Sequence, residues 1–137
     1  MTPDTLSANA KMARENAYCP YSGYAVGCAI ESQSGEVFVG CNIENISYGL
    51  TICAERAAVS QMVSSGQREI VSVLVLTRDG GTPCGMCLQT IAEFAPNLDL
   101  LAVYTEDEKG RRAVYALRDL LPHGFTSKLV LSHPDQM

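Results

Sequence analysis

The 137 residues predict an α/β domain, a three-layer α/β/α sandwich around a mixed central sheet of about five strands. Three observations carry that prediction. Helix-period and strand-period segments alternate along the chain, two early β-rich runs are separated by one short polar turn, and later strands are joined through helices. The paired runs imply an antiparallel portion and the strand-helix-strand units imply parallel neighbours, so both orientations share one sheet. The chain, residues 1–137, reads as one domain, because two cores and a linker would strain a chain this short. Surface scaling lets roughly two-thirds of its unfolded surface be buried.

Leu6, Ala10, Ala13 and Ala17 recur at helical spacing with Lys11, Arg14 and Glu15 between them, which predicts a first helix capped by Thr2 or Asp4. Tyr18 to Gly23, with Pro20 and Ser22, reads as a loop. Tyr24 to Ile30 and Glu36 to Gly40 form a predicted hairpin about the polar Glu31 to Gly35, with Gly27 and Gly40 as weak points in its strands. From Ile52 or Cys53 the spacing of Ala54, Ala57, Ala58 and Met62 returns to a helical period that Gly66 is placed to end. Ile70 to Leu76 is β-branched with little alternation, the pattern of a strand covered on both faces. A third helix is expected from Cys84 to about Phe94, with Pro83 in its first turn, then a strand from Leu98 to Thr105. After the charged turn Glu106 to Arg112, Ala113 to Ala116 reads as a last strand and Leu117 to Leu121 as a helical turn before Pro122.

Composition excludes several classes of function. Ten basic against 15 acidic side chains leave a net charge of −5, a field that repels phosphate backbones, so a nucleic-acid partner is not expected. No apolar run is long enough for a membrane span and the N-terminal residues lack a signal peptide's apolar centre, so the expectation is a cytoplasmic protein with no membrane partner. Six cysteines under those conditions argue against a disulfide framework and leave metal binding, catalysis or plain burial. Cys84 and Cys87 form a C-x-x-C within Pro83-Cys84-Gly85-Met86-Cys87, a spacing that can grip one metal ion or cycle as a disulfide. A redox site does not call for a third cysteine opening a different helix, yet Cys53 is placed that way, with Glu55 two positions later.

Cys53-Ala54-Glu55 with Pro83 to Cys87 matches the three-cysteine form of the zinc deaminase signature. Together with Tyr21-Ser22, Val26-Gly27, Gly40 to Asn45, Tyr48, Arg56, Gln89 and Leu121 to Phe125, it makes the chain resemble the cytidine deaminases, in their small homotetrameric form. The resemblance implies one Zn²⁺ per chain on Cys53, Cys84 and Cys87, with Glu55 as proton shuttle. It implies hydrolytic deamination of cytidine and deoxycytidine to uridine and deoxyuridine plus ammonia, a step of pyrimidine salvage. It assigns the ribose to Asn42 and Glu44, the nucleoside to Tyr24, the pyrimidine amide edge to the Ala54 backbone, and Phe125 to a neighbouring subunit's base pocket. Arg56 is expected to hydrogen-bond the thiolates and temper the charge of the metal site.

Three thiolates leave a fourth tetrahedral position open, as a catalytic zinc requires, and two helix N-termini would offset their charge. Cys87-Leu88-Gln89 stands where relatives usually read Cys-Arg-Gln, and Tyr24 where many have Phe; both keep open a modified cytosine nucleoside or a cytosine-containing antibiotic as substrate. A zinc-stabilised nucleoside-binding protein without turnover is a further alternative, against which Glu55 argues. Cys19, Cys28 and Cys41 are expected to be reduced thiols in the core or loops, and His123 and His133 to lie outside the site.

Overall fold

The computed structural model describes residues 2–126. Helix α1 spans Pro3–Arg14. The Thr2 backbone is extended, its hydroxyl accepts from the Thr5 N–H at 3.4 Å, and Pro3 stands at the first helical position, where its missing N–H matters least. The helix stops one turn short of the apolar spacing that runs to Ala17. Residues 42–44 compete for the backbone there: the Tyr18 N–H donates to the Asn42 carbonyl at 2.9 Å, and the Tyr18 carbonyl accepts from the Glu44 N–H at 2.8 Å.

Strands β1 (Gly27–Ser32) and β2 (Val37–Cys41) make the expected hairpin, with Cys28 opposite Gly40 and the turn closed at Gly35, whose φ of 90° suits glycine. β1 begins three residues later than the sequence predicts. Tyr24 to Val26 are held by a side chain instead of a strand: Asn42 Nδ2 donates to the Tyr24 carbonyl at 2.8 Å and Asn42 Oδ1 accepts from the Val26 N–H at 3.0 Å. Helix α2 (Ala54–Ser64) ends as predicted at Gly66, with φ 101° and the Gln67 N–H reaching back to the Met62 carbonyl.

Strand β3 (Ile70–Leu76) leads to helix α3 (Gly85–Glu93), which starts after Cys84, so Pro83 lies before the helix and outside its first turn. Strands β4 (Ala102–Glu106) and β5 (Arg112–Ala116) and the short helix α4 (Leu117–Leu120) follow. β4 starts later than Leu98 because Asn97 makes a turn, its carbonyl accepting from the Leu100 and Leu101 N–H groups.

The five strands order β2-β1-β3-β4-β5. Among the described residues only β3 and β4 are parallel neighbours; β1 pairs antiparallel to both β2 and β3, and β5 antiparallel to β4. The β2-α2-β3 unit therefore steps over β1, where the sequence predicts adjacent parallel strands.

Pleating sends alternate residues of the central strands to two cores. Cys28, Ile30, Val73, Val75 and Val103 pack against α2 and α3, while Ala29, Leu74 and Leu76 meet Leu6 and Ala10 of α1. Those are the three layers of the sandwich. Gly27 and Gly40 are close-approach points in it. A Cβ at Gly27 would lie 2.1 Å from the Ala10 carbonyl oxygen, and one at Gly40 2.4 Å from that of Ala54. Glycine at position 40 thus lets the start of α2 lie directly on β2. No helix among the described residues is long and apolar enough to cross a membrane.

Candidate active site

Two helix N-termini converge at one point. Cys53 is the N-cap of α2 and Cys84 the N-cap of α3, both with extended backbone and with no side-chain hydrogen bond into their helices. A thiol caps poorly, so cysteine at both positions gives up helix stability that Ser or Asp would supply. In exchange the sulfurs are free for other partners, and the first-turn N–H groups put partial positive charge beside them. Cys87, three residues after Cys84, takes the helical position from which a side chain reaches back to the cap. The Sγ atoms of Cys53, Cys84 and Cys87 all lie within 4.8 Å of one another, with Cys84 and Cys87 3.5 Å apart, and all six cysteines are free thiols. Zinc-sulfur bonds of about 2.3 Å in a tetrahedron place sulfurs about 3.8 Å apart, so this donor set fits one zinc ion with a coordination position left over.

Without a metal, the electrostatics favour the thiolate at Cys53 and oppose it at Cys87. A hydrogen bond from Cys87, followed by the Arg56 guanidinium, brings the Cys53 thiol down to about 5, while Cys87, which keeps the shared proton, is raised. Arg56 Nη2 lies 3.9 Å from Cys53 Sγ and donates to the Thr51 carbonyl at 2.9 Å. Its Nε is a buried nitrogen without a hydrogen-bond partner among the described residues. Glu55 is only 5% exposed; burial first, then the Cys53 thiolate, raises its carboxyl above the usual value.

A cavity of about 320 Å³ opens above the sulfurs, and Tyr24, Asn42, Glu44, Cys53, Ala54, Glu55 and Cys84 all line it. The size is at the lower end of what small-molecule sites use. Residues 2–99 match the family described as the cytidine and deoxycytidylate deaminase zinc-binding region. The chain belongs to this family. It is 42% identical over 130 residues to the cytidine deaminase of Halalkalibacterium halodurans, covering 93% of this chain and 97% of that one. It is 40% identical, also over 130 residues, to that of Sporosarcina psychrophila, covering 93% and 94%. The crystal structure of cytidine deaminase from Burkholderia pseudomallei superposes with a TM-score of 0.84 at 40% identity, over 91% of this chain and all of that one. The cytidine deaminase-like fold and one zinc per chain accord with this membership.

The rim of the cavity is a mesh of hydrogen bonds. Glu44 Oε1 accepts from the Tyr21 and Ser22 N–H groups at 2.9 and 3.1 Å, and Oε2 accepts from the Ser22 hydroxyl. The Ser22 hydroxyl, followed by those backbone donors, holds the Glu44 carboxyl below its ordinary value. Asn42 spends one valence of each amide atom on the 24–26 backbone and keeps one of each.

Phe125 is 65% exposed and lies outside the cavity lining; its backbone N–H and carbonyl are both held by the Gln89 side chain. Leu88 is buried in the core between α2, α3 and the sheet, where an arginine would have to find an acceptor. Cys28 is fully buried and its thiol raised by that burial, whereas Cys19 and Cys41 are half-buried. His123 lies apart from the sulfurs, beside a separate surface hollow, and His133 falls outside the described residues.

Sequence reasoning assigned no role to Thr51, Thr77 or Asp79. Thr51 contributes its carbonyl to Arg56 and lines the cavity, and Asp79 holds the Tyr24 hydroxyl. The local signal for the second pair was Thr77-Arg78-Asp79-Gly80-Gly81, a turn-forming run one residue before Pro83 and Cys84.

Proposed function

We propose that the chain, acting as one domain, hydrolyses the exocyclic amine of cytidine and deoxycytidine, yielding uridine and deoxyuridine plus ammonia. One observation carries the reading: a buried carboxyl, Glu55, stands in the wall of a nucleoside-sized cavity beside a three-thiol cluster that suits a catalytic zinc. Cys53, Cys84 and Cys87 hold the metal. When bound, zinc supplies Lewis acidity that makes a water molecule nucleophilic near neutral pH. Glu55 takes a proton from that water and passes one to the ring nitrogen. Once the water oxygen has bonded to C4, Glu55 takes its remaining proton and hands it to the amine as C4=O forms and the C4–N bond breaks, so ammonia leaves and Glu55 ends ionised as it began. Its raised carboxyl suits the repeated exchange. Arg56 tempers the negative charge of three thiolates around a dication.

Asn42 and Glu44 each retain a free hydrogen-bonding valence for ribose hydroxyls, the Ala54 backbone faces the pyrimidine amide edge, and the Tyr24 ring packs by the nucleoside. Phe125, exposed and fixed by Gln89, completes the base pocket of a neighbouring copy in a homotetramer. Exposed Ile46, Tyr48 and Leu50 supply apolar surface suited to such assembly. Six free thiols suit a reducing compartment such as the cytoplasm, and the reaction suits pyrimidine salvage.

The test is to incubate zinc-loaded protein with cytidine, deoxycytidine, cytosine and modified cytosine nucleosides and to follow ammonia release. Turnover of cytidine and deoxycytidine is expected. Turnover confined to a modified nucleoside would assign the alternative substrate, and full zinc occupancy without any turnover would overturn the enzymatic reading.

A further inference from the structure

Tyr24 is pinned at three points. Its carbonyl accepts from Asn42 Nδ2 at 2.8 Å, its N–H donates to Ser22 Oγ at 3.0 Å, and its phenol donates to Asp79 Oδ1 at 2.6 Å. The Arg78 guanidinium sits 5.2 Å from the ring centroid, within cation-π range. With its backbone fixed, the ring keeps only its side-chain torsions, and the bond to Asp79 restrains those.

The anchor is itself built. Asp79 Oδ1 also accepts from Thr77 Oγ1 at 3.3 Å and from the Gly81 N–H at 3.2 Å. Thr77 Oγ1 accepts from the Gly80 and Gly81 N–H groups at 2.8 and 3.1 Å, which leaves its own proton for Asp79. Thr77 is buried at the end of β3, its N–H bonded to the Glu106 carbonyl at 3.0 Å. The segment then runs through Gly81 to Pro83 and Cys84, so the phenol is tied to the loop that carries one of the three thiols.

We infer that Asp79 is a positioning residue: it holds the Tyr24 ring ready in the cavity wall and so sets how tightly the nucleoside binds, with no part in proton transfer. This rests on the nucleoside reading above. A ring already fixed does not lose that freedom when the ligand arrives, which is the advantage of preorganisation. Burial, then the bond to Asp79, raises the phenol above its ordinary value, so it remains a donor at neutral pH. Asp79 is absent from the cavity lining and acts through Tyr24, which is in it.

The test measures uridine affinity of the zinc-loaded protein by calorimetry, beside kcat and KM for cytidine. Asp79→Ala and Tyr24→Phe should each weaken uridine and raise KM about fivefold, with kcat within about twofold of wild type. The double variant should be no worse than either single one, because both remove the same bond. Asp79→Asn keeps an acceptor oxygen and should recover to within about twofold of wild type. Effects that multiply in the double variant, a fall in kcat with affinity unchanged, or equal loss for Asp79→Asn and Asp79→Ala would each overturn the inference. If Asp79→Ala fails to fold, Tyr24→Phe, which removes a single oxygen, decides: unchanged affinity there overturns it. Wild-type protein that binds uridine without deaminating anything would end the enzymatic reading while Asp79 is still scored by affinity; wild-type protein that does neither would end both.

Discussion

The floor and the rim of the cavity are built by different means. The floor is made at the ends of regular elements: Cys53, Glu55, Cys84 and Cys87 all stand at the starts of α2 and α3, which pack on the sheet through Met62, Leu88 and Ile91. The rim is loop: the Glu44 carboxylate is held by the Tyr21 and Ser22 N–H groups, and the Asn42 amide is bonded to the backbone of Tyr24 and Val26. Bond-making chemistry tolerates little positional error, and helix ends resting on a close-packed core supply that rigidity. A sugar and a base can be met by polar groups on loops, and there the Tyr24 phenol is held by Asp79.

Substitutions should separate the two regions. The largest effect is expected at the floor: Glu55→Gln should lower kcat by about 10²–10⁴-fold while the zinc content, measured on the same sample, stays at wild-type level. Equal loss of metal and activity would place Glu55 in the structure of the site instead of its chemistry. Next is Gly40→Ala, which forces a methyl group against the Ala54 carbonyl and the Ala58 N–H and so pushes on the start of α2. Thermal or denaturant unfolding should show a loss of about 1–3 kcal/mol, with weaker zinc retention under chelator, although Gly40 touches no ligand. At the rim, Glu44→Gln should raise KM about tenfold and leave kcat near wild type.

The smallest effect is on acid stability. Glu44 is held below the ordinary carboxylate value by Ser22 and its backbone donors, and Asp79 by Tyr24 and then the Gly81 N–H. Depressed folded values mean that the unfolded chain binds more protons, so their stabilisation is full above an unfolded value of about 4 and is lost as pH falls through the folded one. Melting temperature should therefore fall as pH drops below about 4, and the Glu44→Gln, Asp79→Asn double variant should show a flatter decline. An identical decline would remove the rim from the acid response.

This contrast also sets how much was legible beforehand. Cys84 and Cys87 are three residues apart, and a helix start turns that separation into adjacency without help from the rest of the chain. Cys53 and Glu55 share a second helix start, and it is the resemblance to the zinc deaminases, not spacing, that joins them to Cys84 and Cys87 in one floor. Tyr24 and Asp79 are 55 positions apart and meet only because β1 and β3 are neighbours, which no local pattern reveals. The sequence assigns Asn42 only the ribose role that the resemblance implies; the folded chain shows that it also holds the 24–26 backbone and still has valences to spare.

By itself the sequence determined the alternation of elements, the two helix starts that present thiols, the carboxyl between them and the acidic balance of the molecule, because these depend on periodicity, spacing and composition. Tertiary structure decided the order β2-β1-β3-β4-β5, the burial that raises Glu55 and the meeting of the Tyr24 phenol with Asp79. Those depend on which surfaces cover one another, and desolvation and long-range hydrogen bonds arise only once they do.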